Sequence, residues 1–313
     1  MDQIAASPTS TTEASALTAN AGAPIAARRA DTPRRTVRGT TYRSAGRLPA
    51  PPRLRPDTWA VADFRTGRLL AVHQPRKARQ PASTLKLLTA LTAVRTVPAQ
   101  PHRVTRREAR ATCVCVGLRP GRLYARGSLL DALLLPSAND AAQAIAGAHR
   151  GGRSGFVRAM RREADRLGLT STTAVNPHGL TARGNGTSPR DLLVLLRAAL
   201  RTPAVDRHLD RSSARFGPVD GRTKVITRTN AYVERYPRAR GKTGFTSAAR
   251  YNLVVATPLR VGPRGQGRER RIIAATMGSP TREASVRATR RLSEWVAAHH
   301  RRLEPVDRLP RTP

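Results

Sequence analysis

The 313-residue chain carries 57 Lys and Arg against 20 Asp and Glu, a formal net charge of +37, with 24 Pro, 23 Gly and only 4% aromatic residues. A chain this long buries a core without disulfides or metals, so a minimal stapled scaffold is excluded. The charge suits anionic polymers or a membrane surface, but the basic residues are nearly all Arg and never interleave with aromatics as a base-stacking platform does, so no specific nucleic acid is expected.

Residues 1–56 are Ser/Thr/Ala-rich and then Arg/Pro-rich without periodicity, which predicts a flexible leader. The weakly apolar stretch from Ala14 to Ala27 is broken by Asn20 and Pro24, and neither a signal peptide nor a transmembrane helix is visible. The domain is expected over 57–302. Trp59 to Asp63 and Leu69 to His73 read as strands joined by the turn Arg65-Thr-Gly67. A helix follows Pro81, with an apolar stripe at Leu85, Leu87, Leu88, Leu91 and Val94. From about 104 to 208 the patterns are helical (Leu129 to Leu135, Asp140 to Ala148, Gly155 to Leu167, Pro189 to Arg201), which predicts a helical subdomain. Within it, Cys113 and Cys115 stand too close for a relaxed disulfide and are too few for a zinc site, so they are read as bystanders. Strand character returns in Thr223 to Thr229, Tyr251 to Ala256 and Arg271 to Met277, with Arg260 to Arg270 as a long mobile hairpin loop. An amphipathic helix from Thr281 to His299 follows, and 303–313 is a Pro/Arg tail. The sheet is therefore assembled from both ends of the chain.

Three short motifs carry chemistry. Ser83-Thr-Leu-Lys86 places a hydroxyl and an amine on one face of a helix start, where a lysine of depressed pKa can take the serine proton. Ser137-Ala-Asn139 offers a second hydroxyl as proton relay and an amide to position a substrate carbonyl and the lysine. Lys242-Thr-Gly-Phe245 supplies a cation and the Thr243 hydroxyl for a carboxylate, Gly244 for close backbone approach, and the Phe245 N–H as oxyanion partner to the Ser83 N–H. Taken singly, each is also read as a cap or turn with a solvated side chain. Lysine occurs only at Lys77, Lys86, Lys224 and Lys242 in a chain that otherwise uses Arg, and two of these four fall in the motifs. Arginine replaces lysine as a surface charge but not as a titratable proton carrier.

In order and context the three motifs resemble those of penicillin-binding proteins and class A β-lactamases. The blocks PASTLKLLTAL (81–91), LLPSANDAA (134–142), NPHGL (176–180) and GKTGFT (241–246) are similar to the low-molecular-mass serine D-alanyl-D-alanine carboxypeptidases, and class A β-lactamases lack the third. The resemblance implies an α/β (α+β) fold of β-lactamase/transpeptidase type: a largely antiparallel five-stranded sheet flanked by helices, with a helical subdomain and the active site between them. It implies that Ser83 attacks the penultimate D-Ala carbonyl of a peptidoglycan stem pentapeptide and is acylated by β-lactam antibiotics. Lys86 is then the base, Ser137 the relay, Asn139 a positioning group and Lys242 with Thr243 the carboxylate anchor. No metal or organic cofactor is implied, the setting is extracytoplasmic, and the anionic polymers are those of the cell wall. His178 stays outside the mechanism.

Three other readings compete. A transpeptidase or endopeptidase on the same peptides differs only in acceptor choice, which motifs do not report. A β-lactamase needs a deacylating glutamate, yet Glu163 lies in a helical pattern and Glu234 just upstream of the KTG strand. A non-catalytic polyanion-binding module would leave Ser83 unreactive and bind with steep salt dependence.

Overall fold

The computed structural model describes residues 32–112 and 114–311; residues 1–31 of the expected leader lie outside the described residues. The leader ends earlier than expected. β1 (Arg34–Val37) and β2 (Thr40–Ser44) form an antiparallel hairpin, and Thr41 and Tyr42 of β2 pair with Val72 and Ala71. Tyr42 explains the ordering: it is buried, with its ring 5.3 Å from that of Trp295, a large apolar anchor set among the Arg and Pro of this segment.

β3 (Thr58–Asp63) and β4 (Arg68–His73) form the expected hairpin. Its turn is fastened by the Asp63 carboxylate, which accepts from the Thr66 N–H at 2.8 Å and the Thr66 hydroxyl at 2.7 Å. A 3₁₀ turn (Ala82–Leu85) then leads into α1 (Lys86–Thr96). The helical subdomain holds α2 (Arg106–Ala109), α3 (Arg126–Leu134), α4 (Asn139–Gly147), α5 (Gly152–Arg166), α6 (Pro189–Arg201) and α7 (Pro203–Asp210), beside a small hairpin of β5 (His102–Arg103) and β6 (Leu123–Tyr124). Residues 213–227 form a second satellite hairpin, β7 (Ser213–Phe216) with β8 (Lys224–Thr227). The strand expected at Thr223 to Thr229 therefore exists but does not join the main sheet.

After α8 (Ala231–Arg235), β9 (Arg240–Thr246), β10 (Arg250–Arg260) and β11 (Glu269–Ser279) return to the sheet, and α9 (Arg282–His299) covers it. The strand order is β1-β2-β4-β3-β11-β10-β9, antiparallel at each step, so β9 is an edge. Its five strands from β4 to β9 match the expected antiparallel sheet.

Side-chain alternation builds a core on each face. Ala60, Ala62, Val254, Ala256, Ile273 and Ala275 join the larger core with α1 and α6, whereas Trp59, Val61, Ile272 and Ala274 meet Leu292, Trp295 and Val296 of α9. The Pro/Arg tail is corrected as well: Leu303–Glu304 and Asp307–Arg308 pair with β2 and β4, and Leu303, Val306 and Leu309 are buried. The long loop at 260–270 shrinks, because β10 extends to Arg260 and β11 begins at Glu269, and Val261 between them is buried. Among the described residues, no helix is long and apolar enough to cross a membrane.

Candidate active site

The site lies where the start of α1, the start of α4 and the edge strand β9 converge. Ser83 occupies the 3₁₀ turn and Lys86 opens α1, so their side chains share a face and Lys86 Nζ stands 2.8 Å from Ser83 Oγ. Two neighbours hold that turn in place. Asn252 of β10 donates from Nδ2 to the carbonyls of Gln80 (3.0 Å) and Pro81 (3.1 Å), and its Oδ1 accepts from the Gly278 N–H. Gly179, at φ +82°, lies so close that a Cβ there would stand 2.0 Å from the Ala82 carbonyl oxygen, so only glycine fits.

Ser137 sits in the loop entering α4 at φ +68°, a strained conformation for a residue with a side chain. Asn139 begins α4, with its N–H on the Val114 carbonyl (2.7 Å) and its Nδ2 on the Thr112 carbonyl (2.6 Å). That leaves Oδ1 facing Lys86 Nζ at 2.6 Å. Asp140 secures the neighbouring loop by accepting from the N–H groups of Val116, Gly117 and Leu118. Cys115 in this loop is disulfide-bonded, and the sequence has only one other cysteine, Cys113, which lies outside the described residues. The reading of Cys115 as a bystander is therefore corrected.

Lys242 projects from β9 to the same point, 2.8 Å from Ser137 Oγ and 3.1 Å from the Thr243 carbonyl. Ser137 also lies 3.4 Å from Lys86, so its hydroxyl bridges the two amines. Gly244 permits the contact between β9 and the nucleophile turn, since a Cβ there would be 2.9 Å from both the Ser83 and Thr84 nitrogens. Phe245 stays exposed and stacks on Tyr251 at 4.4 Å between centroids. The two motif lysines are buried, while Lys77 and Lys224 are exposed. Burial, and then the charge of Lys242, holds the Lys86 ammonium well below its ordinary value, with Asp140 opposing weakly. Burial lowers Lys242 to about 7. For Lys86 the shift is towards the neutral amine, the form a base requires.

All eight sequence-predicted residues meet here, and Ser83, Ser137, Thr243, Gly244 and Phe245 line a cavity of about 440 Å³. Just upstream of the Lys242 motif, Arg238 pairs with Glu269 and Arg240 with Asp210. Glu163 is taken by Arg95 and Arg166, and Glu234 is exposed, so neither is placed to activate a deacylating water. His178 is buried and pushed down to about 4, by burial first and then by Lys86 and Arg153, and does not line the cavity. Asn252, Asp140 and Gly179 were missed as positioning residues. A buried polar side chain inside the apolar run Tyr251-Asn-Leu-Val-Val was the available signal for the first.

A profile of D-alanyl-D-alanine carboxypeptidases, peptidase family S11, matches residues 46–281. The chain belongs to this family. It is 39% identical over 226 residues to the D-alanyl-D-alanine carboxypeptidase DacB2 of Mycobacterium tuberculosis, covering 71% of this chain and 74% of that one. It is 29% identical to DacD of Escherichia coli over 79% of this chain, and spans 64% of DacD's length. The crystal structure of a D-alanyl-D-alanine carboxypeptidase from M. tuberculosis superimposes with a TM-score of 0.70 at 37% identity, covering 80% of this chain and 94% of that one. The Streptomyces K15 DD-transpeptidase, at 23% identity and a TM-score of 0.67 over 78% of this chain and 98% of its own, shares the fold. This family membership makes the chain a serine-type carboxypeptidase, a penicillin-binding hydrolase of mixed α/β fold.

Proposed function

We propose that Ser83 removes the terminal D-Ala from peptidoglycan stem pentapeptides through an acyl-enzyme, outside the cytoplasmic membrane, and that β-lactams acylate the same oxygen. The observation that carries this is the buried amine pair bridged by one hydroxyl: Lys86 at 2.8 Å from Ser83 and Lys242 at 2.8 Å from Ser137. Lys86, its ammonium disfavoured by burial, takes the Ser83 proton as Oγ attacks the penultimate carbonyl. The N–H groups of Ser83 and Phe245 receive the oxyanion, and Lys242 with Thr243 holds the terminal carboxylate, whose arrival favours the charged form of Lys242. The scissile C–N bond then breaks, and the proton passes from Lys86 through Ser137 to the departing amine. Water then attacks the ester carbonyl, giving a proton to Lys86, which passes it to Ser83 Oγ as the ester C–O bond breaks, so that the shortened peptide leaves and the free serine and amine are restored.

Mass spectrometry after incubation with a penicillin tests the site. The expected result is one adduct mapping to Ser83 and absent from Ser83→Ala, together with D-Ala release from a pentapeptide. A folded wild type that stays unmodified would overturn the reading in favour of a binding module.

A further inference from the structure

Among the described residues, the large apolar side chains left exposed are Val114, Val219, Val225 and Phe245. Val114, at 55% exposure, and Phe245, at 53%, both line the catalytic cavity. Val219 and Val225 belong to the β7–β8 hairpin and lie outside it. A single exposed apolar residue is ordinary on a protein surface, but two lining one cavity beside a nucleophile leave apolar area for a ligand to cover.

Both walls are held in place. The Val114 carbonyl accepts the Asn139 N–H at 2.7 Å, which ties this wall to the start of α4. Phe245 pairs with Tyr251 across β9 and β10, and their ring centroids stand 4.4 Å apart. A ring already fixed by its neighbour gives up little freedom when a ligand packs on it.

The charge of the cavity adds a second condition. No acidic side chain lines it, Arg282 is the one charged side chain that does, and Glu283 lines the adjoining groove instead. An ammonium brought against these walls gives up water without meeting a carboxylate, whereas an uncharged chain gains from covering them.

The proposed reaction sets which part of the substrate meets the pair. With the terminal carboxylate on Lys242 and Thr243 and the scissile carbonyl on the Phe245 N–H, the peptide runs along β9, and the residue preceding the two D-Ala units passes the Phe245 ring. We propose that Val114 and Phe245 determine specificity at that residue: they take its side chain as an uncharged apolar group and select against one that ends in a free ammonium. This inference rests on the Ser83 reading and names the substrate class of the same site.

The test is D-Ala release by the full chain from two peptides, Nα-acetyl-Lys-D-Ala-D-Ala with its Nε amine either free or acetylated. The acetylated peptide is expected to show a kcat/KM at least about tenfold higher. Val114→Glu places a carboxylate on the wall and should shrink that ratio to about threefold or less. Phe245→Ala should lower kcat/KM for the acetylated peptide at least about fivefold more than for the free one. Val225→Glu, on the satellite hairpin, is the control and keeps the wild-type ratio, and thermal unfolding checks that all three variants are folded. Penicillin acylation makes the same comparison: a phenylacetyl side chain should react at least about fivefold faster than one carrying an α-ammonium, and Val114→Glu should narrow the gap. Should neither peptide be cleaved, the penicillin ratio decides. Equal rates on the charged and uncharged members of the pair, or a ratio that Val114→Glu and Phe245→Ala leave unchanged, would overturn the proposal while acylation at Ser83 still stands. Absence of both acylation and D-Ala release overturns the Ser83 reading and this inference with it.

Discussion

Lys242→Met should make the protein more stable while abolishing acylation. In the folded chain the Lys242 pKa drops from 10.5 to about 7. A depressed lysine binds fewer protons folded than unfolded, so its cost to stability is full below pH 7 and is relieved as pH rises towards 10.5. At about 1.36 kcal/mol per pH unit, the fall from 10.5 to about 7 gives a cost of about 5 kcal/mol at pH 6, falling to about 1 kcal/mol at pH 9.5. Methionine fills much the same volume. It strands the Ser137 hydroxyl and the Thr243 carbonyl, at about 1–3 kcal/mol. The net expected gain is therefore about 2–4 kcal/mol at pH 6, several degrees in Tm for a domain of this size. Chemical denaturation of wild type and variant at pH 6 and pH 9.5 measures it. A gain absent at pH 6, or one that does not shrink at pH 9.5, would refute the assignment of Lys242 as a buried cation held at a cost for function.

Four further outcomes are expected. Lys86→Arg should keep the fold but lose about 10³-fold or more in the rate of penicillin acylation, because arginine cannot become the neutral base; adduct formation followed by mass gives the rate. Gly244→Ala should slow acylation at least about tenfold with little change in Tm, since its Cβ would press on the Ser83 and Thr84 nitrogens at 2.9 Å and move β9 away from the nucleophile. Asn252→Leu removes two hydrogen bonds to the nucleophile turn and one from the Gly278 N–H, and should cost about 2–4 kcal/mol in denaturation, with acylation falling in parallel. The acylation rate constant at low penicillin concentration should decline as pH rises through about 7, where Lys242 loses its charge in the free enzyme, and Lys242→Arg should flatten that decline.

The chemistry was more legible than the frame around it. Ser83, Lys86, Ser137, Asn139 and Lys242 to Phe245 lie in short local runs whose side chains must meet for any one of them to work, so three weak motifs strengthened one another. The β3–β4 hairpin, α1 and α9 announced themselves through period and turn residues, such as Thr281 capping α9 with its hydroxyl on the Ala284 N–H. The edges were hidden because their stability comes from distant partners. Leu303 pairs with Ser44 of β2 and is buried in one core with Tyr42 and Trp295, and no local pattern records such a pairing. Cys115 was misjudged because spacing alone does not report the loop it sits in, which three N–H groups on Asp140 and two carbonyls on Asn139 hold.

The distribution of lysine joins sequence to mechanism. Apart from the exposed Lys77 and Lys224, where a cation in this chain serves only as charge or as a surface pair, arginine does the task, as at Arg238 on Glu269 or Arg166 on Glu163. A buried guanidinium stays protonated whatever its surroundings, so it neither accepts the Ser83 proton nor gives one to Ser137. Burial makes an amine useful for that purpose by bringing its two protonation states within reach of neutral pH, and the same burial destabilises the fold. Two lysines at 0% and 2% exposure, joined through one hydroxyl, fit only if the proton exchange they permit is what the site is for. Their depressed pKa values and the predicted stabilisation by Lys242→Met are therefore one physical fact seen from catalysis and from folding.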